Sequence, residues 1–309
     1  MDERRLILVA LLLLMLPGCG PAGDDPGDGG NERPVVVATT GMIGDLVTRI
    51  VGEKATVVTL MATGVDPHLF RPSEGDVRRM GSADLILYNG LHLEGKMGEI
   101  LSRMSRGRRV VAVGDVVPVA NLRELSGYAG QHDPHIWFDV RLWTLTVDPV
   151  LDALTSLMPS HAGELQERAD KVRSGLMELD FWVQEHIALI PEDRRVLVTA
   201  HDAFGYFGDR YNIEVVGLQG ISTAAEAGLK DVDRLVDLIV DRKIPAVFVE
   251  SSVPRRAIES VVAACVSRGH QVRIGGELFS DAMGPAGTPE GTYDGMVRHN
   301  VRNILEALQ

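Results

Sequence analysis

Short runs of β-branched and apolar residues alternate with helix-length segments in two separate stretches of the chain. The strand candidates are 35–39, 56–60, 84–88 and 109–113 in the first stretch, and 196–200, 213–217, 246–250 and 271–274 in the second. The clearest helical patterns are 44–51, 74–81, 231–242, 255–268 and 295–308. Such alternation is typical of βα units on a mostly parallel sheet. The sequence therefore predicts an α/β protein of two lobes, each a mostly parallel sheet flanked by helices.

One long helical stripe lies between the two stretches. Its apolar residues recur at steps of three and four, and they are Ala162, Leu165, Ala169, Val172, Leu176, Leu179, Val183, Ile187 and Ile190. From 161 to 190 this predicts one rigid helix about 45 Å long, with Ser160 as N-cap and Pro191 as stop. A coiled-coil dimerisation helix is the alternative, but flanking lobes offer an internal surface for the stripe. We therefore expect a monomer with an N-terminal lobe at 34–158, a bridging helix at 159–191 and a C-terminal lobe at 192–309.

The N-terminus has the pattern of an export signal. Arg4 and Arg5 precede an apolar run at 6–16, which would span about 16 Å as a helix, too short for a hydrocarbon core of about 30 Å. We therefore expect residues 1–18 to be a signal peptide that is removed.

The sequence Leu16-Pro17-Gly18-Cys19 resembles the lipobox of bacterial lipoproteins, in which the cysteine becomes the acylated first residue. Residues 20–33 are rich in Gly, Asp, Asn and Pro, a composition that cannot bury a core. The prediction is a lipidated flexible tether at 19–33 that anchors an exported lipoprotein, periplasmic or on the cell surface, to the membrane through Cys19. The alternative is a plain secretory signal in which Cys19 happens to lie near the cleavage site.

The charge, aromatic content and cysteines of the chain limit the kinds of ligand and cross-link that are expected. The chain has 31 Lys and Arg against 43 Asp and Glu, a net charge of −12, and only 5% aromatic residues. This balance argues against nucleic acid as a partner and fits a cationic ligand. The two cysteines lie in such different surroundings that no disulfide framework is expected. Cys265, in an apolar helical face, is predicted to be a small buried hydrophobe.

Four polar residues follow strand candidates where ligands collect in α/β proteins. His68 and His135 each end an Asp-Pro-His tripeptide, His201 directly follows the strand at 196–200, and Asp281 lies beyond the strand at 271–274. Proline stiffens the loops that present the first two imidazoles. In open α/β sheets ligands bind beyond the carboxyl ends of strands. Three imidazoles and one carboxylate suit a borderline divalent transition ion.

Longer motifs around these residues resemble a known family, the metal-binding receptors of ABC transporters in the TroA, PsaA and ZnuA group. The matching stretches run in order along the body of the chain: Thr39-Thr40-Gly41-Met42-Ile43, Asp66-Pro67-His68, Tyr88-Asn89-Gly90-Leu91-His92-Leu93-Glu94, Asp133-Pro134-His135-Ile136-Trp137-Phe138-Asp139, Thr199-Ala200-His201-Asp202-Ala203-Phe204, Phe248-Val249-Glu250-Ser251-Ser252 and Gly276-Glu277-Leu278-Phe279-Ser280-Asp281-Ala282-Met283-Gly284. The resemblance implies two α/β lobes joined by one rigid helix, with a single metal ion bound between them and delivered to a membrane permease.

The family's four ligand positions fall on His68, His135, His201 and Asp281. Manganese receptors of the family often have Glu at the third position, where this chain has His201. Dedicated zinc receptors carry a loop rich in His and acidic residues before the second ligand, whereas 121–133 contains only His132. The resemblance is therefore to the TroA type, for which Zn²⁺ and Mn²⁺ are both expected ligands.

The remaining polar candidates have plainer interpretations. Asp139 either orients the His135 ring or caps a helix, and Glu250 either lies behind a ligand or only ends a strand. His92 is expected to have a hydrogen-bonded structural role and His132 to line the mouth of the cleft. The histidines on or beside predicted helices are expected to be solvated: His161, His186, His270 and His299.

Two other functions compete with metal transport. A metallohydrolase usually has three protein ligands, an open water position and a nearby base, so four protein ligands favour transport and a protein that is not an enzyme. The other is an adhesin, a label that members of the family have carried, but no residue here identifies an epitope.

Overall fold

The structure, a computed structural model, describes residues 33–125 and 130–309. The predicted signal peptide at 1–18, Cys19 and nearly all of the tether lie outside the described residues. Among the residues that are described, no helix is long and apolar enough to cross a membrane.

The N-terminal sheet has four parallel strands: β1 (Val35–Ala38), β2 (Thr56–Thr59), β3 (Leu85–Tyr88) and β4 (Arg109–Ala112). Their order is β2-β1-β3-β4. The helices between them are α1 (Gly41–Val51), α2 (Glu74–Ser82) and α3 (Gly98–Met104). All four strands lie within the predicted segments, because short β-branched runs bounded by turn residues are a strong strand signal.

Two helices, α4 (Val140–Leu145) and α5 (Val147–Leu157), lead into the long helix α6 (Ala162–Ile187). The apolar side of α6 packs against α1, α4 and α5, and its residues from Leu165 to Ile187 in the predicted stripe are buried. The stripe therefore covers an internal surface instead of forming a coiled-coil face.

The ends of α6 differ from the prediction. A 3₁₀ turn at Pro159–His161 precedes the helix, and the N-cap is His161, without a side-chain cap hydrogen bond, so Ser160 is not the cap. The helix also ends before Ile190 and Pro191. Its length is about 39 Å at 1.5 Å per residue, shorter than the predicted 45 Å.

Beyond α6 the strands pair in two parallel pairs. The first joins β5 (Val196–His201) to β6 (Glu214–Gln219), with α7 (Gly205–Tyr211) between them. The second joins β7 (Ala246–Glu250) to β8 (Arg273–Leu278), and β5 lies beside β7. The outer helices are α8 (Leu229–Asp241), α9 (Arg256–Ser267) and α10 (Tyr293–Leu308).

The structure confirms the α/β class with parallel strand pairs and flanking helices. It corrects the position of β8, which runs to Leu278 instead of ending at 274. Gly275 and Gly276 lie inside this strand, and glycine weakens a strand signal. The prediction for Cys265 is confirmed, because its side chain is fully buried in the core between the second group of strands and helices α8 and α9.

Candidate metal centre

The structure brings the four predicted ligand residues together. One atom from each of His68, His135, His201 and Asp281 lies within 4.8 Å of the others. All four residues are buried, with exposed fractions of 6%, 0%, 0% and 2%. The cluster is therefore shielded from bulk solvent.

The four residues come from strand ends and from one 3₁₀ turn. His68 lies in the turn that follows β2, and His201 is the last residue of β5. His135 is the N-cap of a 3₁₀ turn at Ile136–Phe138, and Asp281 lies shortly beyond β8. Three of the four residues therefore follow the carboxyl ends of parallel strands, where ligands collect in α/β folds, and a 3₁₀ turn supplies the fourth.

The three imidazoles direct the same ring atom toward Asp281. Nε2 of His135 is 3.3 Å from Oδ1 of Asp281, and Nε2 of His201 is 3.3 Å from Oδ2. For His68 the distance from Nε2 to Oδ2 is 3.7 Å, and its Nε2 is 3.3 Å from Nε2 of His135. Three Nε2 atoms and two carboxylate oxygens thus surround one small volume.

Two carboxylates contact Nδ1 of His135 and of His201, on the side of each ring away from Asp281. Oδ1 of Asp133 is 2.7 Å from Nδ1 of His135 and also accepts the backbone N–H of His135, at 2.9 Å. Oε2 of Glu250 is 2.5 Å from Nδ1 of His201, and its Oε1 accepts the backbone N–H of His201 at 2.8 Å. A carboxylate at Nδ1 leaves Nε2 free as an electron-pair donor, the usual arrangement for metal-binding histidines.

The identity of the first carboxylate corrects the sequence interpretation. Asp139 accepts the backbone N–H groups of Arg141 and Leu142 and so caps α4. Asp133 orients the His135 ring instead. The available signal was an Asp two residues before the histidine, a spacing at which Asp accepts a backbone N–H in an Asx turn. Glu250 lies behind His201, as one of the two interpretations held.

The pKa values of the clustered histidines depend on burial and on the neighbouring carboxylates. Burial lowers the pKa of His68 to about 4. Burial also acts to lower the pKa of His135, but Asp133 and Asp281 outweigh it and raise this pKa to about 9. For His201, Glu250 and Asp281 outweigh burial in the same way, so its pKa is well above the usual 6.5.

Asp281 shows the opposite balance. Burial acts to raise the pKa of the Asp281 carboxyl, but His201 and His135 outweigh burial and hold the pKa well below its usual value. Among the described residues, no donor other than the clustered imidazoles lies against either carboxylate oxygen of Asp281. A buried anion needs a compensating positive charge, and a cation bound among the three Nε2 atoms would supply it in place of the imidazole protons. The residues thus fit a metal ion.

The other histidines lie outside the cluster. His92 is exposed and has a left-handed backbone (φ 66°), which differs from the hydrogen-bonded structural position predicted for it. His132 lines a cavity of about 530 Å³ that also includes Tyr88 and Asp115 and none of the four clustered residues. The remaining four are half-buried instead of fully solvated, and they are His161, His186, His270 and His299.

A buried set of three imidazoles and one carboxylate in an α/β fold is the kind of site that a metal-binding receptor would have. Residues 36–307 match the family model of the periplasmic zinc-uptake complex component A, ZnuA. The chain is 48% identical over 308 residues to the zinc-binding protein TroA of Treponema pallidum, covering 100% of this chain and 99% of that protein. It is 45% identical over 309 residues to the manganese-binding lipoprotein MntA of Bacillus subtilis, covering 100% of both.

The fold agrees with these relatives. The solved structure of the periplasmic zinc-binding protein TroA from Treponema pallidum matches with a TM-score of 0.88 and 50% identity, over 89% of this chain and 99% of that one. The chain therefore belongs to the ZnuA/TroA family of periplasmic metal-binding proteins. Members of this family are extracytoplasmic solute-binding proteins of metal ABC transporters and not enzymes, which sets aside the metallohydrolase alternative.

Proposed function

We propose that His68, His135, His201 and Asp281 bind one divalent transition metal ion, Zn²⁺ or Mn²⁺, which the protein delivers to the permease of an ABC importer. The observation that carries this proposal is the convergence of three Nε2 atoms on one buried carboxylate, that of Asp281. Both Nδ1–carboxylate contacts support the same ligand atoms.

The donor set suits transport of the ion better than chemistry on it. Four protein donors fill the coordination positions that a catalytic zinc ion leaves open for water. Glu250 and Asp133, the nearby carboxylates that could act as bases, are already engaged with the ligand rings. The ion would therefore be held without a reactive water.

For the metal itself, we propose that Zn²⁺ is bound more tightly than Mn²⁺ at equilibrium. Nitrogen and oxygen donors follow an affinity order in which Mn²⁺ is lowest and Zn²⁺ well above it. Mn²⁺ is the second candidate, supported by the manganese-binding name of one relative and by the two oxygens that Asp281 offers.

Two ligand residues precede α6 and two follow it. His68 and His135 belong to the first part of the chain and His201 and Asp281 to the second. We accordingly propose two lobes, at 34–158 and 192–309, joined by a bridging segment at 159–191, with the metal between them. A change in lobe separation would then change the distances between the first pair of ligands and the second pair.

Elemental analysis and binding titrations test the ligand set. Natively purified protein should contain about one equivalent of transition metal. His68→Ala, His135→Ala and Asp281→Ala should each weaken Zn²⁺ binding at least tenfold, because each removes a direct ligand. His161→Ala, at a half-buried site beside Glu164, is the control and should bind as the wild type does. Unchanged affinity in any of the three variants would remove that residue from the site.

We also propose that the exported protein, periplasmic or on the cell surface, is anchored through a lipid on Cys19 and is monomeric. The lipobox-like sequence and the polar tether after it support the anchor. Cys19→Ser should abolish labelling by a fatty-acid probe and move the protein out of the membrane fraction. Persistent lipid labelling of this variant would refute the anchor. Sedimentation of the protein without residues 1–33 would reveal whether it is monomeric.

A further inference from the structure

Helix α7 holds the loop that carries His135. The hydroxyl of Tyr206 donates to the backbone oxygen of Asp133, at 2.9 Å, and accepts the backbone N–H of Arg123, at 3.1 Å. Tyr206 is 2% exposed, so water does not compete for these bonds. One buried hydroxyl therefore connects Arg123 to Asp133 in the loop that precedes His135.

The side chain of Arg123 adds a second attachment between the same two parts. Its guanidinium donates to the backbone oxygen of Gly205, at 3.2 Å, and forms an ion pair with Asp209. This close passage depends on glycine, because a Cβ on Gly205 would lie 2.6 Å from Nε of Arg123. Arg123 Nε is also 3.6 Å from Oδ2 of Asp133, the carboxylate that orients the His135 ring.

The position of α7 gives these contacts a consequence for the site. The helix begins at Gly205, shortly after the ligand residue His201 at the end of β5. The Tyr206 contacts therefore fix the loop of one ligand against the helix that follows another. On its other side the same loop is tied toward a third ligand, because the indole of Trp137 donates to the backbone oxygen of Ser280, at 3.1 Å, directly before Asp281.

Metal sites tolerate little error in ligand position, with metal–ligand distances held to about ±0.2 Å. We infer that Tyr206 is a positioning residue for metal binding, whose hydroxyl sets the separation of His135 and His201 by fixing the His135 loop to α7. This inference rests on the proposed function, since it assigns a role to a residue behind the same site. Tyr206 itself does not touch the metal.

Tyr206→Phe tests the inference with minimal change in shape. Tyr211→Phe is the matched control, because its buried hydroxyl is on the same helix and donates to Asp180 of α6, at 2.9 Å. Zn²⁺ affinity would be measured by chelator competition, and Co²⁺ would serve as a visible probe of coordination geometry. We expect Tyr206→Phe to weaken Zn²⁺ binding about tenfold, the lower end of the effect of removing an outer partner, and to change the Co²⁺ absorption spectrum. Tyr211→Phe should change Zn²⁺ affinity less than twofold and leave the spectrum unaltered.

The free energy of unfolding of both metal-free variants separates positioning from general loosening. If Tyr206→Phe and Tyr211→Phe lose similar stability but only Tyr206→Phe binds Zn²⁺ more weakly, the inference is supported. If both variants lose the same Zn²⁺ affinity, the inference is overturned. His135→Ala, titrated alongside, separates the two levels of proposal. Normal binding by Tyr206→Phe with loss of binding by His135→Ala overturns the positioning role alone, and normal binding by His135→Ala overturns the proposed site.

Discussion

Glu250 holds His201 through two contacts, with Oε2 2.5 Å from the ring Nδ1 and Oε1 accepting the backbone N–H at 2.8 Å. Glu250 ends β7 and His201 ends β5, so the carboxylate joins two neighbouring strand ends. Both residues are almost fully buried. The ring can therefore neither rotate freely nor exchange its partner for water.

Glu250→Gln should weaken Zn²⁺ binding between tenfold and a hundredfold. The amide keeps the size of the side chain but loses the charge that makes the His201 ring a better donor. Chelator competition at one pH and ionic strength measures the effect. Glu277→Gln, an exposed position on β8, is the matched control. Equal affinities in Glu250→Gln and wild type would show that this carboxylate does not act on the metal.

Zn²⁺ binding should release protons at neutral pH. His135 has a pKa of about 9 and the pKa of His201 is well above its usual value, so both rings are protonated at pH 7 before metal binds. Imidazole binds metal only when Nε2 has lost its proton. We expect release of about two protons per ion, measured by calorimetry in buffers of different ionisation enthalpy. Affinity should fall as pH decreases from about 9. Binding without proton release at pH 7 would contradict this charge arrangement.

The same pKa values predict how stability depends on pH without metal. The pKa of His135 is raised on folding, so its contribution to the free energy of unfolding is complete below about pH 6.5 and is lost as pH rises through about 9. The pKa of His68 is lowered to about 4, so its contribution is complete above pH 6.5 and is lost as pH falls toward 4. Denaturant titrations between about pH 4 and pH 9 should show that the contribution of these two histidines to the free energy of unfolding is greatest near pH 6.5. His68→Gln should reduce the loss on the acid side.

Much of this centre could be predicted because the signals are local. The Asp-Pro-His tripeptides and the histidine at the end of β5 are visible in sequence, and ligands of α/β folds collect beyond the carboxyl ends of strands. The runs of Val, Ile and Thr likewise specify the strands. Whether the four residues bind metal stays a prediction that the titrations test.

What the sequence did not reveal depends on contacts between distant segments. Tyr206 and Arg123 are 83 residues apart and meet only because α7 packs against the His135 loop. Asp139 was a candidate for orienting His135 because of its four-residue spacing, but a 3₁₀ turn intervenes and directs Asp139 to the N-terminus of α4. Helix α7 is too short to show a clear apolar period.

Arg210→Ala should lower the free energy of unfolding by about 2 kcal/mol. Its guanidinium pairs with Asp180 of α6, with Nε 3.0 Å from Oδ1, and Asp180 is only 8% exposed. Removing one partner of a buried pair costs about 3–5 kcal/mol. The cost here is smaller, because Arg210 is partly exposed and the hydroxyl of Tyr211 still donates to Asp180. Urea denaturation measures the loss. Arg234→Ala, which breaks an exposed pair with Asp231, should cost less than 1 kcal/mol. Equal losses in the two variants would show that the Arg210–Asp180 pair stabilises the fold no more than an exposed pair does.

Metal preference should depend on His201. His201→Glu replaces a nitrogen donor with a harder oxygen and adds negative charge, changes that cost Zn²⁺ more than Mn²⁺. The structure adds a complication, because Glu250 contacts the ring of His201, and two buried carboxylates placed side by side repel each other, which favours binding of a shared proton. The double variant His201→Glu/Glu250→Gln removes that repulsion, since the amide can donate to the introduced carboxylate. We therefore expect the ratio of Zn²⁺ to Mn²⁺ affinity to fall in both variants, with tighter Mn²⁺ binding by the double variant than by the single one. Competition titrations at one pH and ionic strength measure both quantities. A ratio that stays constant would mean that His201 does not determine the preference, and a wild type that prefers Mn²⁺ would mean that the spacing imposed by the fold outweighs the chemistry of the donors.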